Sequence, residues 1–260
     1  MELTRREALA AAFVPLLPAA PTPSYAAAAE PDYDVPYVPT PPELVEAMLD
    51  LAGVARGDYL IDLGCGDGRI AIAAARRGAR ALGVDIDPSR IEAANLALSL
   101  ANLEGANVRF RRQDLFATPI REASVIALYL LPAINLRLRP RLLTELRPGA
   151  RIVSHAFDMG EWRPEAEERH DGRRILLWRV PAVAGGRWAL READGTAWAL
   201  DLDQRFQDVT GTMSGQGRVV EVEGTLTGTA LAFTAGDRRF EGVVGGASME
   251  GEGWRATRAQ

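Results

Sequence analysis

Three glycines and three acids in this chain are spaced so that together they could hold a ligand. In DLGCGDGRI, residues 62–70, Gly64, Gly66 and Gly68 alternate directly behind the apolar run Tyr59-Leu60-Ile61, with Asp62 between. Glycine lets such a turn take positive φ and lets a ligand lie against bare backbone, while the first N–H groups of a following helix point at its polar end. Asp85 closes the next apolar run, where its carboxylate can accept from both hydroxyls of a ribose. Asp114, in RRQDLF, follows the run after that and can accept from an adenine amino group. A nucleoside fits this set. A pyrophosphate fits less well, because the dinucleotide fingerprint G-x-G-x-x-G needs glycine or alanine at 69, where this chain has Arg69.

These side chains need a frame of strands and helices. The periodicity predicts a strand over 59–63 and an alanine-rich helix over 69–77, closed by Gly78. Strands over 80–85, 107–111, 124–130 and 150–156, with helices over 88–102 and 133–146, continue the alternation. That pattern predicts an α/β fold with a doubly wound, Rossmann-like parallel sheet and the ligand outside the carboxyl ends of its strands. Upstream, PYVPTP leads into a helix for which Thr40 is the expected N-cap, with Pro41 at N1 and Glu43 at N3 completing a capping box.

Residues 187–260 have a different pattern. VVEVEGTLTG sends Val220, Val222 and Leu226 to one face and Glu221, Glu223 and Thr225 to the other. With AWALDLDQRF, ALAFTAG and RRFEGVVGG it predicts an antiparallel β meander, a small barrel or half-barrel, without an acid, base or metal constellation. The expected organisation is a signal segment over 1–29, the ligand-binding domain over 30–183 and a small β-rich domain over 184–260.

Composition narrows the function. The 260 residues are 47% hydrophobic and 25% charged, ordinary for a globular chain, and a net charge of -5 argues against a nucleic acid as main partner. Every one of the 30 basic residues other than histidine is arginine. Cys65 is the only cysteine, which excludes an intrachain disulfide and a cysteine metal site; His155 and His170 lack metal-ligand spacing, so no metal is expected. His155, at the end of a predicted strand, reads as a structural histidine. The N-terminal order of paired arginines, a short proline-broken apolar stretch and small residues is that of a secretory signal, with no transmembrane span. Thr4-Arg5-Arg6 resembles a twin-arginine motif, which predicts cleavage within Ala26–Ala29 and a periplasmic protein; the alternative is a helical tail on a cytoplasmic one. The oligomeric state stays open.

Over residues 35–180 the glycine loop, Asp85 and the Gln113-Asp114 pair, in that order, resemble the class I S-adenosylmethionine-dependent methyltransferases. The resemblance implies that cofactor, with Asp62, Gly64, Cys65, Gly66 and Gly68 beside its methionine part. Asp85 would hold the ribose, Asp114 and Leu115 would frame the adenine, and Ile86 would also touch the cofactor. PYVPTP (Pro36–Pro41) and YLLP (Tyr129–Pro132) resemble a narrower group, the archaeal and mitochondrial protein lysine methyltransferases, whose proline-rich segment closes over the cofactor. By that resemblance Thr40 donates to the methionine carboxylate. Tyr37, Tyr129, Leu130, Leu131, Pro132 and Asn135 form the acceptor side, and Tyr129 is the catalytic residue. Methyltransferases for bases and glutamine carry N-P-P-Y or D-P-P-Y at the end of the fourth strand, and Tyr129-Leu130-Leu131-Pro132 departs from that. The expected activity is methyl transfer to a protein lysine amine by in-line displacement. The alternatives are a small-molecule or lipid acceptor of the cell envelope, or a non-catalytic binding protein on the same fold.

Overall fold

The structure, a computed structural model, describes residues 37–103 and 107–259. The expected signal segment, its cleavage site and Pro36 lie outside the described residues. One compact unit, Val35–Gln260, holds a sheet with its helices and a barrel.

The first part runs α1 (Pro42–Leu51), β1 (Tyr59–Leu63), α2 (Arg69–Arg76), β2 (Arg80–Asp85), α3 (Pro88–Leu100), β3 (Val108–Arg112), β4 (Val125–Leu128), α4 (Pro132–Glu145) and β5 (Arg151–His155). A hairpin of β6 (Ala166–His170) and β7 (Arg173–Arg179) follows. The sheet order is β3-β2-β1-β4-β5-β7-β6, with the first five strands parallel and the hairpin antiparallel. The order reverses between β1 and β4, the switch point at which open α/β sheets bind ligands.

Alternation along the strands builds one core on each face. Leu60, Val125, Ala127 and Val153 pack with Leu44, Met48 and Leu49 of α1 and with Ala71 and Ala74 of α2. Ile61, Leu63, Ile126 and Leu128 pack on the other face with Leu138 and Leu142 of α4 and with Trp162 and Trp178.

One local expectation differs from the structure, and one element was not expected. The cap of α1 is Pro41, whose carbonyl accepts from Leu44 N and Val45 N at 3.0 Å, and no side chain caps the helix. Thr40 is one residue too early for that role, and its hydroxyl is turned into the protein instead. The β6–β7 hairpin carries no apolar alternation on β6. The backbone pairs it from Ala166 to His170, and Arg174 on Glu167 at 2.9 Å and Arg179 on Glu165 at 3.0 Å add ion pairs along the strands.

The second part is a closed antiparallel barrel of eight strands, β8 (Gly186–Glu192), β9 (Ala197–Arg205), β10 (Asp208–Gly215), β11 (Arg218–Thr227), β12 (Ala230–Ala235), β13 (Arg238–Gly245), β14 (Ser248–Gly251) and β15 (Trp254–Arg258). It closes where β15 pairs with β8. Alternate residues fill its interior: Phe233 stacks on Phe240 at 4.7 Å, and Trp254 meets both edge-on. This is a packed barrel.

The barrel seats a ring in the sheet part. Phe206, in the β9–β10 turn at φ 56°, stacks on Trp162 with centroids 6.1 Å apart, beneath the Arg139 guanidinium. Arg163 pairs with Asp208 and Arg205 with Glu161, both at 2.8 Å. A half-buried aromatic anchor of this kind contributes about 1–3 kcal/mol. Phe206→Ala is therefore expected to lower the urea midpoint followed by Trp162 and Trp178 fluorescence. An unchanged midpoint would mean that the ring does not hold the barrel on the sheet.

Candidate active site

The glycine loop leaves β1 and wraps over the end of β2. Gly64, Gly66 and Gly68 take φ of 82°, 52° and 78°, all left-handed. Gly64 N and Cys65 N both donate to Val84 O at 2.9 Å. Gly66 N donates to one carboxylate oxygen of Asp85 at 2.9 Å, and Asp87 N donates to the other at 3.0 Å. Asp85 thus fixes the loop and its own turn with both oxygens while staying half-buried, with lone pairs left for a diol. Asp114 uses Oδ1 to accept from Phe116 N at 2.8 Å, is exposed, and keeps Leu115 half-buried beside it. Ile86 is exposed next to Asp85.

Asp62 is the unusual member of this group. It is buried, and its Oδ2 has no hydrogen-bond partner. Burial, then the charges of Asp85 and Asp67, push its carboxyl up to about 8. Asp67 behaves oppositely: burial works against its charge, yet pairing with Arg69 holds it below the usual carboxylate range. Cys65 is buried too. Burial and the Asp62 and Asp85 carboxylates push its thiol far up, so its loop backbone, not a thiolate, is what it offers a ligand.

The raised Asp62 sets a pH dependence. A carboxyl that titrates near 3.9 unfolded and higher when folded favours the fold in its protonated form. Its contribution is complete below the unfolded value and is lost as pH climbs to about 8. A cation bound beside Asp62 draws its proton off. Binding of a cationic cofactor beside it at pH 7 is accordingly expected to release up to about one proton, read as a buffer-dependent enthalpy in calorimetry. Equal enthalpies in buffers of unlike ionisation heat would contradict it.

Tyr37, expected on the acceptor side, instead lies over the glycine loop: a Cβ at Gly66 would come 2.4 Å from Tyr37 Cε2. The Arg90 guanidinium stacks on its ring at 3.8 Å, and burial with the neighbouring Asp67 raises its hydroxyl pKa. Leu130 is buried against the same loop, 2.8 Å from where a Cβ of Gly64 would stand. It shapes the loop floor. Arg69, which broke the dinucleotide pattern, holds Asp67 and donates from Nη1 to Thr40 O at 2.7 Å.

At the ends of β4 and β5 a second cluster forms. Thr40 Oγ1 and His155 Nδ1 share a hydrogen bond of 3.1 Å, and the half-buried Tyr129 ring stacks on the imidazole, centroids 3.8 Å apart. Burial, then Arg173, pull the imidazole down to about 4, so it is neutral at pH 7. Leu131 caps α4, and Pro132 is exposed at its first turn. Asn135, expected to meet the acceptor, is fully buried. Its amide donates to Phe157 O at 3.2 Å and Asp158 O at 3.3 Å, and Oδ1 is without a partner. It braces the turn after β5 because α4 faces that turn. Sequence reasoning missed Arg90, which reaches the site only through its stacking on Tyr37; Arg69 was visible as a departure from a known spacing.

A cavity of about 360 Å³ lies on the barrel, lined by Glu192, Arg238, Phe240 and Trp254 among others. Within it Arg238 pairs with Glu192, and Trp254 Nε1 donates to Glu241 O.

The loop, Asp85 and Asp114 stand at the ends of β1, β2 and β3, where the sequence predicts a nucleoside, and Asp62 beside the loop has a buried oxygen with no partner, an acceptor a cation could meet. A cofactor with both ends is used by the class I S-adenosylmethionine-dependent methyltransferases, the class that fold and site define. The model of the ANTKMT methyltransferase domain family matches residues 62–166, which stop short of the barrel. A protein-lysine N-methyltransferase of Saccharolobus islandicus is 44% identical over 50% of this chain and 82% of its own. The adenine nucleotide translocase lysine N-methyltransferase of Mus musculus is 36% identical over 56% of this chain and 63% of its own. The crystal structure of an RNA methyltransferase from Salinibacter ruber with S-adenosyl-L-homocysteine is 47% identical, with a TM-score of 0.54, and aligns with 55% of this chain and 94% of that one. The chain belongs to the protein-lysine methyltransferase family of class I enzymes, and S-adenosylmethionine is its cofactor.

Proposed function

We propose that this enzyme methylates the side-chain amine of a lysine on a partner protein. The observation that carries the reading is the 44% identity to a protein-lysine N-methyltransferase along 82% of that protein's length. The site agrees in chemistry. S-Adenosylmethionine supplies a methyl group on a sulfonium, which an amine displaces in line. The glycine loop, Asp62, Asp85 and Asp114 hold the donor, so that what remains is to place the amine on the axis of the breaking bond. Tyr129, half-buried and stacked with the rings of His155 and Phe157, gives the acceptor end one polar group among apolar faces. Such a setting suits a lysine. Removing its proton at pH 7 costs about 4 to 5 kcal/mol against a reference pKa of about 10.4, and desolvation reduces that cost.

The Salinibacter ruber enzyme carries RNA in its description. The net charge of -5 favours the protein acceptor over a polyanion. The barrel docks through Phe206 on the segment around Trp162.

A lysine acceptor sets a pH test. The rate on a lysine-bearing protein is expected to rise with pH up to the depressed pKa of the bound amine. Tyr129→Phe should slow or shift that profile while cofactor affinity stays within about threefold. A pH-independent rate, with turnover only on a lipid or a phenol, would move the assignment to a small-molecule acceptor.

A further inference from the structure

Thr40 and His155 are 115 positions apart and meet through a single hydrogen bond. A hydroxyl has one O–H and two lone pairs, and a neutral imidazole has one N–H and one lone pair. The bond therefore has two possible directions with different consequences. If Thr40 donates to the ring, its only proton is spent there. If the ring donates from Nδ1, the Thr40 proton is free for another acceptor.

Several contacts hold this junction in place. Arg69 anchors the Thr40 carbonyl at 2.7 Å. Ala156, at φ 67°, is the centre of a three-residue turn in which Phe157 N donates to His155 O at 2.8 Å, a strained backbone form. Ser154 Oγ and Asn135 Nδ2 both donate to Phe157 O, at 2.8 Å and 3.2 Å, and brace that turn. Among the described residues the imidazole Nε2 has no hydrogen-bond partner, so none of them compels a proton there.

We propose that His155 is a positioning residue: it carries its proton on Nδ1, donates it to Thr40 Oγ1, and so turns the Thr40 O–H toward the carboxylate of the cofactor's methionine part. The same ring, through its stacked face, sets the plane of Tyr129 at the acceptor end. One imidazole thereby ties the grip on the donor to the wall that receives the acceptor. This role rests on the cofactor reading above and goes beyond it by assigning a direction to one hydrogen bond.

The chain has two histidines, and the other, His170, is exposed and paired with Glu168, so an imidazole nitrogen spectrum resolves both. The test uses full-length protein with ¹⁵N-labelled histidine and S-adenosylhomocysteine as probe. In the complex His155 is expected to show a protonated Nδ1 and an unprotonated Nε2. Its Nδ1 resonance should move on binding while His170 stays. By calorimetry, Thr40→Val and His155→Phe should each lose at least about tenfold in affinity, and the double variant should lose little more, as for two members of one link. His155→Asn, which keeps an N–H near the Nδ1 position, should recover most of the loss.

A proton on Nε2 in the complex, or His155→Phe binding as wild type, would overturn the role. The wild-type spectrum decides even where a variant fails to fold. Wild-type protein that does not bind S-adenosylhomocysteine would overturn the cofactor reading itself and this role with it.

Discussion

Gly66→Val is expected to weaken cofactor binding at least about tenfold, or about 1.4 kcal/mol. The residue sits at φ 52°, where an L side chain costs roughly 1–2 kcal/mol and a β-branched one more. Its Cβ would come 2.4 Å from Tyr37 Cε2 and 3.1 Å from Cδ2. Tyr37 is exposed and could swing out, but that would give up its stacking with Arg90 at 3.8 Å. Either the ring leaves or the loop shifts, and a shifted loop breaks the bond from Gly66 N to Asp85. Gly78→Ala is the control. Gly78 is also left-handed, at φ 85°, but at the opposite end of α2, so its substitution should lower stability without touching affinity. Calorimetry with S-adenosylhomocysteine showing equal affinity for Gly66→Val and wild type would contradict the placement of the cofactor on this loop.

Asp85→Ala should cost a similar factor for a different reason. It removes the acceptor for a ribose diol and also strands Gly66 N and Asp87 N, which both donate to Asp85. Each unpaired N–H, where burial keeps water away, costs about 1–3 kcal/mol. Asp85→Asn keeps the size and one carbonyl acceptor, so its loss should fall between wild type and Asp85→Ala. Binding assays that rank the two variants in the reverse order, with folded protein in both, would show that Asp85 does not hold the ribose.

The donor half of this site was legible because glycine spacing and acids at strand ends are local signals. β2 begins and ends at Arg80 and Asp85 as the pattern predicts, and Gly64, Gly66 and Gly68 are all left-handed. The part of the site where Thr40 meets the acceptor end was less legible because it is assembled from distant positions. Thr40 looks like a helix cap in sequence, since Pro41 and Glu43 follow it, but the helix starts one residue later and His155 takes its hydroxyl. Asn135 follows YLLPAI as a pocket residue would. The helical turn instead aims it at the carbonyls of Phe157 and Asp158. The β6 strand, AEERH, has no apolar period, and its partners on β7 are found only once the hairpin forms. The barrel strands were readable from alternation. Their closure was not, because the β15–β8 pairing joins the two ends of the barrel sequence.

The absence of lysine makes one measurement sharper than the rest. The enzyme is incubated with methyl-labelled S-adenosylmethionine and a mixture of lysine-bearing proteins, RNA and envelope lipids, and the label is located by mass spectrometry. The account predicts label on the Nε atoms of lysines in partner proteins and none on side-chain amines of the enzyme, which has none to offer. Label confined to RNA or to a small-molecule fraction, with the proteins unmodified, would contradict it.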